Sequence, residues 1–362
     1  MKPGTLLHGF WPTTSTPTDL KLKASGANGL WIEISEHRQS LMPLYNRYSE
    51  TATSLPLSEL ATSSSPAAKD ELDRLAWSAF IVLKSGYYLS EHVFSPNPET
   101  QPPIHPLGSQ TGLPWTSDDA DLSSAAVVTL ASSTKTARGF VSALQKRPKN
   151  AGPLGLLQVT SSVKSILEGS KAAESPFPSK AVEYSQIDSQ EVVEWLKSFN
   201  ASKIVIFNFG AGSEALERIQ AVAKNDPALQ SVKVVVILIG SEQKVSHHPA
   251  GTQFSMSTQL TIFQFLSPEE AKVAREALAG SSNILYNTSG IEDSLIQSIG
   301  LGPFFEKSNS LTKQMLDNRH NLPGKLVWGR GVSGATGIEG AWERLSQAQV
   351  DADEYLVYQV QQ

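Results

Sequence analysis

The chain contains no cysteine. That excludes disulfides, thiolate metal ligands and a cysteine nucleophile, and it agrees with a reducing compartment, so a cytoplasmic setting is expected. A thiolate zinc site of the alcohol dehydrogenase type is excluded with it, and no metal is expected. No apolar run approaches the roughly 20 residues that a membrane-spanning helix needs. The opening MKPGTLLHGFWP has one lysine and no long apolar core, unlike a secretory signal. There is no G-x-S-x-G elbow, which leaves out the usual α/β serine hydrolase. Internal repeats and heptads are absent. The net charge is -5, and the 30 lysines and arginines form no basic stripe, so nucleic acid is not an expected partner.

What is present suits a folded protein of two domains: 362 residues, 40% of them hydrophobic. Three stretches rich in Ser, Thr, Pro and Gly punctuate it. Thr51 to Ala68 reads as a loop before a helix. Ser95 to Ser124 contains PNPETQPPIHPLGSQTGLPW, whose prolines break helix and strand alike, so it reads as an irregular excursion. Gly240 to Ser257 carries His247 and His248, adjacent residues that point to opposite sides of an extended chain and make a poor chelating pair.

Between the second and third stretches, short β-branched runs alternate with amphipathic helices. Ala126 to Ala131, Leu154 to Thr160, Lys180 to Tyr184, Ile204 to Phe209 and VKVVVILI (Val232 to Ile239) are the expected strands. The helices are Thr134 to Lys146, SSVKSILEG, SQEVVEWLKSF and GSEALERIQAVAK. This alternation predicts a doubly wound parallel sheet of Rossmann type in an α/β protein. Around it, DLKLKASGANGLWIEI reads as a hairpin, QLTIFQFL as a strand, and PEEAKVAREALAG and GIEGAWERLSQAQ as helices. The terminal EYLVYQVQ alternates like an edge or barrel strand. The expected division is a nucleotide-binding domain at 121–255 inserted between flanks 1–120 and 256–362 that pack together. Within DRLAWSAFIVLKSGYYLSEHV, Trp77, Phe80, Ile81, Lys84, Tyr87 and Tyr88 fall at helical spacing, as a core stripe would.

In such a sheet the ligand sits at the carboxyl ends of the strands. There, AVVTLASSTKTARGF places a hydroxyl-rich loop and a lysine before a helix, without the glycines of a phosphate loop and without GxxxxGKS/T. Free N–H groups at a helix N-terminus favour phosphate. Ser132, Ser133, Thr134 and Thr136 add hydroxyls and Lys135 adds charge, while Ala137 and Gly139 are small enough to let the helix pack near the sheet. The same hydroxyls also serve as plain helix caps. The second strand ends in LLQVTSSVKSI, with no acid for ribose hydroxyls; Thr160, Ser161 and Lys164 suit a 2′-phosphate, or form a cap run with a solvated lysine. The fourth ends in FNFGAGSEAL, where Asn208, Gly210 and Gly212 make either a βα turn beside the cleft or simply a βα turn. Elsewhere, Glu36 to Tyr48 is the densest polar and aromatic block. Arg38 and Arg47 could take an anion and Tyr45 or His37 could act as a general acid, unless the tyrosines pack and the arginines pair.

EHRQSLMPLYNRY, VVTLASSTKTARGF, FNFGAGSEAL and the terminal helix and strand ending in LVYQV resemble the DUF2855 proteins of fungi and bacteria. That family is similar to the medium-chain dehydrogenase/reductase superfamily, near its zinc-free quinone and enoyl reductases. The hydroxyl-rich loop in place of GxGxxG is a mark of the family. The resemblance implies a Rossmann domain with a GroES-like domain and NADPH as cofactor. It also implies an enoyl or quinone reductase-like activity on a small molecule, in secondary (polyketide) metabolism, and a homodimer joined through a sheet edge such as VKVVVILI or QLTIFQFL. Two departures stand out. The family's N-terminal barrel is expected to be truncated, since the block HGFWPTTSTPTDL begins at His8, and Asn208 stands where the family tends to have an acid. The alternative expectation is a non-redox dehydratase, cyclase or lyase on a degenerate reductase scaffold, using Tyr45, His37 and the His247-His248 pair.

Overall fold

Hydrophobic runs that alternate with amphipathic helices have one stable solution, a sheet buried on both faces, and the protein takes it. The computed structural model describes the chain except Pro3, 13–17, Ser63, Phe80, 171–174, 241–282, Asn318, 320–323 and 361–362. His247, His248, QLTIFQFL, PEEAKVAREALAG and Phe80 therefore lie outside the described residues. Two units are compact in themselves: Met1–Ile81 with Ser289–His320, and Val82–Thr288 with Asn321–Gln362.

The first unit holds an antiparallel sheet of β1 (Leu7–His8), β2 (Leu22–Ala24), β3 (Leu30–Glu33) and β4 (Arg47–Glu50) in the order β1-β4-β3-β2. The expected hairpin is β2 and β3. Tyr48, fully buried, anchors this sheet and donates its hydroxyl to the Phe10 carbonyl at 2.6 Å. Helices α1 (Leu57–Thr62) and α2 (Pro66–Ser78) follow, so the Thr51 to Ala68 stretch is not loop throughout. Ser65 caps α2 by accepting from the Ala68 N–H. From the later segment, Glu292 and Asp293 hold Arg47 at 2.9 and 2.6 Å, and Arg319 pairs with Asp70 at 2.6 Å.

The second unit is built on six parallel strands: β5 (Ala125–Leu130), β6 (Gly155–Val159), β7 (Ser179–Val182), β8 (Lys203–Phe209), β9 (Lys233–Gly240) and β10 (Asn283–Leu285). Their order is β10-β9-β8-β5-β6-β7. Read from the other edge this is 3-2-1-4-5-6, the doubly wound Rossmann order, with the reversal between β5 and β8. Every residue of β5, β6 and β8 is buried. Alternate side chains serve opposite faces. Val128, Leu130, Ile204 and Ile206 pack with Val192, Leu196, Ile219 and Val222 on one side. On the other, Phe207 meets Phe140 at 4.4 Å and Phe94 at 5.0 Å between ring centroids.

Three expectations change here. VKVVVILI is not an edge, because β9 is paired on both sides, by β8 and β10. Its unbroken apolar run is what such an interior position demands. EYLVYQV forms β12 (Glu354–Gln359), which pairs in parallel with β11 (Lys325–Arg330) in a separate two-stranded sheet. It belongs to the unit of the parallel sheet, not with β1–β4. The unit around the parallel sheet is thus larger than 121–255. It also takes in α3 (Ile81–Tyr88) from Val82 onward and the proline-rich excursion, whose Trp115 indole donates to the Val93 carbonyl at 2.8 Å. That excursion contains α4 (Ser117–Ala120), closed by a capping box between Thr116 and Asp119.

Helix α5 (Lys135–Gln145) follows β5 and crosses α3 at two glycines. A Cβ on Gly86 would strike the Thr136 carbonyl and the Phe140 amide, and one on Gly139 would strike the Leu83 backbone. Gly139 therefore lets α5 approach α3; Ala137, fully buried, is the residue small enough to bring the helix inward. Among the described residues no helix is long and apolar enough to cross a membrane.

Candidate nucleotide site at the carboxyl end of the parallel sheet

The turn after β5 is set by backbone bonds. Ala131 takes a positive φ of 56°, a left-handed conformation that glycine adopts more readily. The Ser132 N–H donates to the Val159 carbonyl at 3.1 Å, hooking the turn onto the end of β6, and the Thr134 N–H donates to the Ala131 carbonyl at 3.0 Å. Ser132 points inward: its hydroxyl bonds the Thr129 carbonyl at 2.9 Å and the Thr129 hydroxyl at 2.6 Å, and it has no exposed surface. Of the expected hydroxyls, this one is committed to the fold.

Thr134 occupies the N-cap position of α5 with extended dihedrals, yet its side chain makes no capping bond. Its Oγ1 is buried without a hydrogen-bond partner. A buried hydroxyl left in this state costs about 1–3 kcal/mol, so something must gain from having it there. Next along, the Lys135 ammonium lies 4.3 Å from the centroid of the Tyr355 ring of β12. Burial, and then the like charge of Arg138, push Lys135 below the usual lysine value. Thr136 is half-buried in the first turn of the helix.

Arg138 was not among the expected site residues. Only 7% exposed, it donates from Nε to the Ser133 carbonyl at 2.8 Å and from Nη2 to the Ser165 hydroxyl at 2.8 Å. It thereby ties the turn after β5 to α6 (Val163–Ser170), the helix after β6. Burial lowers its pKa from the ordinary guanidinium value, opposed by Tyr355 and Asp353. The one signal in the sequence was a basic residue between Ala137 and Gly139, on the turn of α5 where the helix packs closest.

At the end of β6, Thr160 is fully buried and its hydroxyl accepts from the Ser162 N–H at 3.0 Å, so that oxygen closes the local turn. Ser161 and Lys164 are exposed. At the end of β8, the Asn208 side chain templates the next turn. Its Oδ1 accepts from the Gly210 and Ala211 amides at 3.0 and 2.8 Å, and its Nδ2 donates to the Ala211 carbonyl at 3.2 Å. Gly210 has φ 120° and Gly212 caps the helix α7 (Ser213–Asn225). The structure thus gathers Ser133, Thr134, Lys135, Arg138 and Ser165 around one turn, with Lys164 beside Ser165 in the chain and Asn208 opposite Leu130 across the β5/β8 pairing.

Tyr45 and His37 belong to the first unit. Tyr45 sits on a short 3-10 turn, Pro43–Asn46, edge-on to Phe10 at 4.9 Å, and burial raises its pKa. His37 is exposed on another such turn, Glu36–Arg38. The two arginines of this block are consumed by the fold. Arg38 holds Asn46 and the Tyr45 carbonyl at 3.0 and 2.6 Å, and Arg47 is ion-paired as described.

The family described as "Protein of unknown function (DUF2855)" matches residues 1–351. Among solved structures, the chain is similar to a mutant form of enoyl thioester reductase from Candida tropicalis. That match has 10% identity over 98% of this chain and 90% of that one, with TM-score 0.39. It is similar to Etr1p in complex with NADP and crotonyl-CoA at 10% identity, 91% and 78% coverage and TM-score 0.39. It is also similar to the mitochondrial 2-enoyl thioester reductase Etr1p/Etr2p heterodimer from Candida tropicalis, at 9% identity, 89% and 71% coverage and TM-score 0.35. A comparison with curated proteins returned no match.

Proposed function

From a chain that belongs to the DUF2855 family and carries this turn, we propose an NADPH-dependent reductase of enoyl or quinone-type small molecules. The observation that supports it most is the sheet order, with its reversal between β5 and β8 and a cationic, hydroxyl-bearing helix start at the end of β5. In sheets of this order that place receives a dinucleotide pyrophosphate.

The donor set fits the cofactor. The partnerless Thr134 Oγ1, the Lys135 ammonium and the first-turn N–H groups of α5 would hold the pyrophosphate. Thr160–Ser165, reading TSSVKS, offers Ser161 and Lys164 and no acid, which suits a phosphorylated ribose better than a free one. Gly210, without a Cβ and held by Asn208, would border the nicotinamide ribose. Bound NADPH would supply the hydride, and the part of the protein would be to hold and orient it. The choice of an enoyl or quinone acceptor follows the resemblance to the zinc-free reductases.

The test uses the 7 tryptophans of the chain as donors in energy transfer to NADPH. Saturable transfer at micromolar cofactor is the expected result, and no binding at millimolar cofactor rejects the reading. Lys135→Ala should weaken binding. An unchanged affinity in that variant would misplace the phosphate.

A further inference from the structure

We infer that Arg138, seated between the phosphate turn and α6, is the residue that makes this site select a phosphate monoester on the adenosine ribose. The inference rests on the dinucleotide reading above and goes beyond it by naming which side chain discriminates.

Four observations carry it. First, Arg138 is only 7% exposed, yet its hydrogen bonds go to two neutral oxygens, the Ser133 carbonyl and the Ser165 hydroxyl. Among the described residues it makes no ion pair at contact distance, and Asp353 acts on its charge only from farther off. A guanidinium has five N–H donors, and these two bonds leave three for a ligand. Second, a further cation stands three residues before it: Lys135, with its ammonium against Tyr355. The like charge of Arg138 acts on Lys135, and an anion beside the two relieves that repulsion. Third, the location suits the ribose. In a 3-2-1-4-5-6 sheet the adenosine ribose lies at the end of the second strand, here β6, and Arg138 reaches that end from α5 through Ser165. Fourth, the Thr160 hydroxyl oxygen accepts from the Ser162 amide, which fixes it in the turn and leaves a single proton to offer. Arg138 brings a fixed charge to that end, with Ser165 on its guanidinium and the exposed Ser161 and Lys164 beside Ser165 in the chain. The planar fork matches the geometry of a phosphate monoester, and the Ser133 and Ser165 bonds fix its plane in advance.

The experiment measures equilibrium binding of NADPH and of NADH to the full chain at one ionic strength, for the natural protein and for Arg138→Met. The expected result is a preference for NADPH in the natural protein that collapses in the variant. NADPH affinity falls about tenfold or more and NADH affinity stays within about twofold. A brace without a ligand role would lower both affinities together and leave their ratio alone, and that outcome overturns the inference. So does a natural protein that binds the two nucleotides equally, which leaves the dinucleotide reading standing. A protein that binds neither removes both. If Arg138→Met does not fold, as judged by its melt, Arg138→Lys is read instead. A point charge without the fork should cut the preference severalfold, and an unchanged preference overturns the assignment. Adenosine 2′,5′-bisphosphate and inorganic phosphate serve as competitors. Displacement of NADPH by the bisphosphate but not by phosphate at the same concentration is expected; equal displacement by both would show a general anion site and overturn the ribose assignment.

Discussion

The ammonium of Lys135 lies over the ring of Tyr355, 4.3 Å from its centroid, although 220 positions (355 less 135) separate them in sequence. Tyr355 is 1% exposed, so the first residue of α5 carries its charge against a buried π face. Such a pair contributes about 0.5–2 kcal/mol when desolvated. A double-mutant cycle of Lys135→Met and Tyr355→Leu in urea melts should show coupling of that size, and Tyr355→Phe should retain it. Strictly additive losses would refute the contact.

Gly86 and Gly139 give a prediction of reversed sign. In an exposed helix, replacing glycine by alanine stabilises by about 1 kcal/mol. Here the new methyl meets the backbone of the opposing helix, 3.0 Å or less from Leu83 in the case of Gly139. Gly139→Ala and Gly86→Ala should each destabilise, by about 1–3 kcal/mol or more. A melt unchanged or raised in either variant would mean that α3 and α5 do not touch.

Ala131 offers the opposite case. Its φ of 56° is disfavoured for a residue with a Cβ by roughly 1–2 kcal/mol. Ala131→Gly should raise stability by about 1 kcal/mol after the greater freedom of glycine in the unfolded chain is counted. Chemical denaturation measures it, and a loss of stability would contradict the left-handed turn.

His105 supplies a pH dependence. It is 8% exposed, and burial holds its pKa at about 4, below the ordinary 6.5. Its Nδ1 accepts from the Leu107 N–H at 3.1 Å, a bond that requires the neutral ring. Between those values the unfolded chain takes up a proton that the folded chain refuses. The contribution of His105 is therefore fully present above about pH 6.5 and is lost as pH falls toward 4. His105→Gln should flatten this part of the stability profile from the acid side, as measured by denaturant midpoints across the window. A profile as steep as that of the natural protein would place the titration elsewhere.

The parallel sheet was legible because its strands are short β-branched runs and its helices amphipathic, and local pattern suffices for both. β5, β6, β8 and β9 fall within a residue or two of the expected spans. Pairing partners were not legible. EYLVYQV announces a strand, but nothing local says that Lys325–Arg330 will lie beside it, because registration across a sheet is settled by tertiary packing. The use of the hydroxyls was not legible for the same reason: composition cannot tell that Ser132 bonds Thr129 or that Thr160 accepts from the Ser162 amide. Arg138 escaped notice because an arginine in an amphipathic helix ordinarily reads as solvated. Its burial depends on Ser165 and on the turn at Ser133, which only the fold brings near.

Helices in contact through their backbones cannot slide past one another without parting. Where α3 meets α5 at Gly86 and Gly139, the amides of Thr136 to Phe140 should be among the slowest in the chain to exchange with solvent, released by large-scale opening and not by local fraying. The turn that would meet a ligand then stands ready-made at the front of a helix already held still. Binding there has little ordering entropy left to lose.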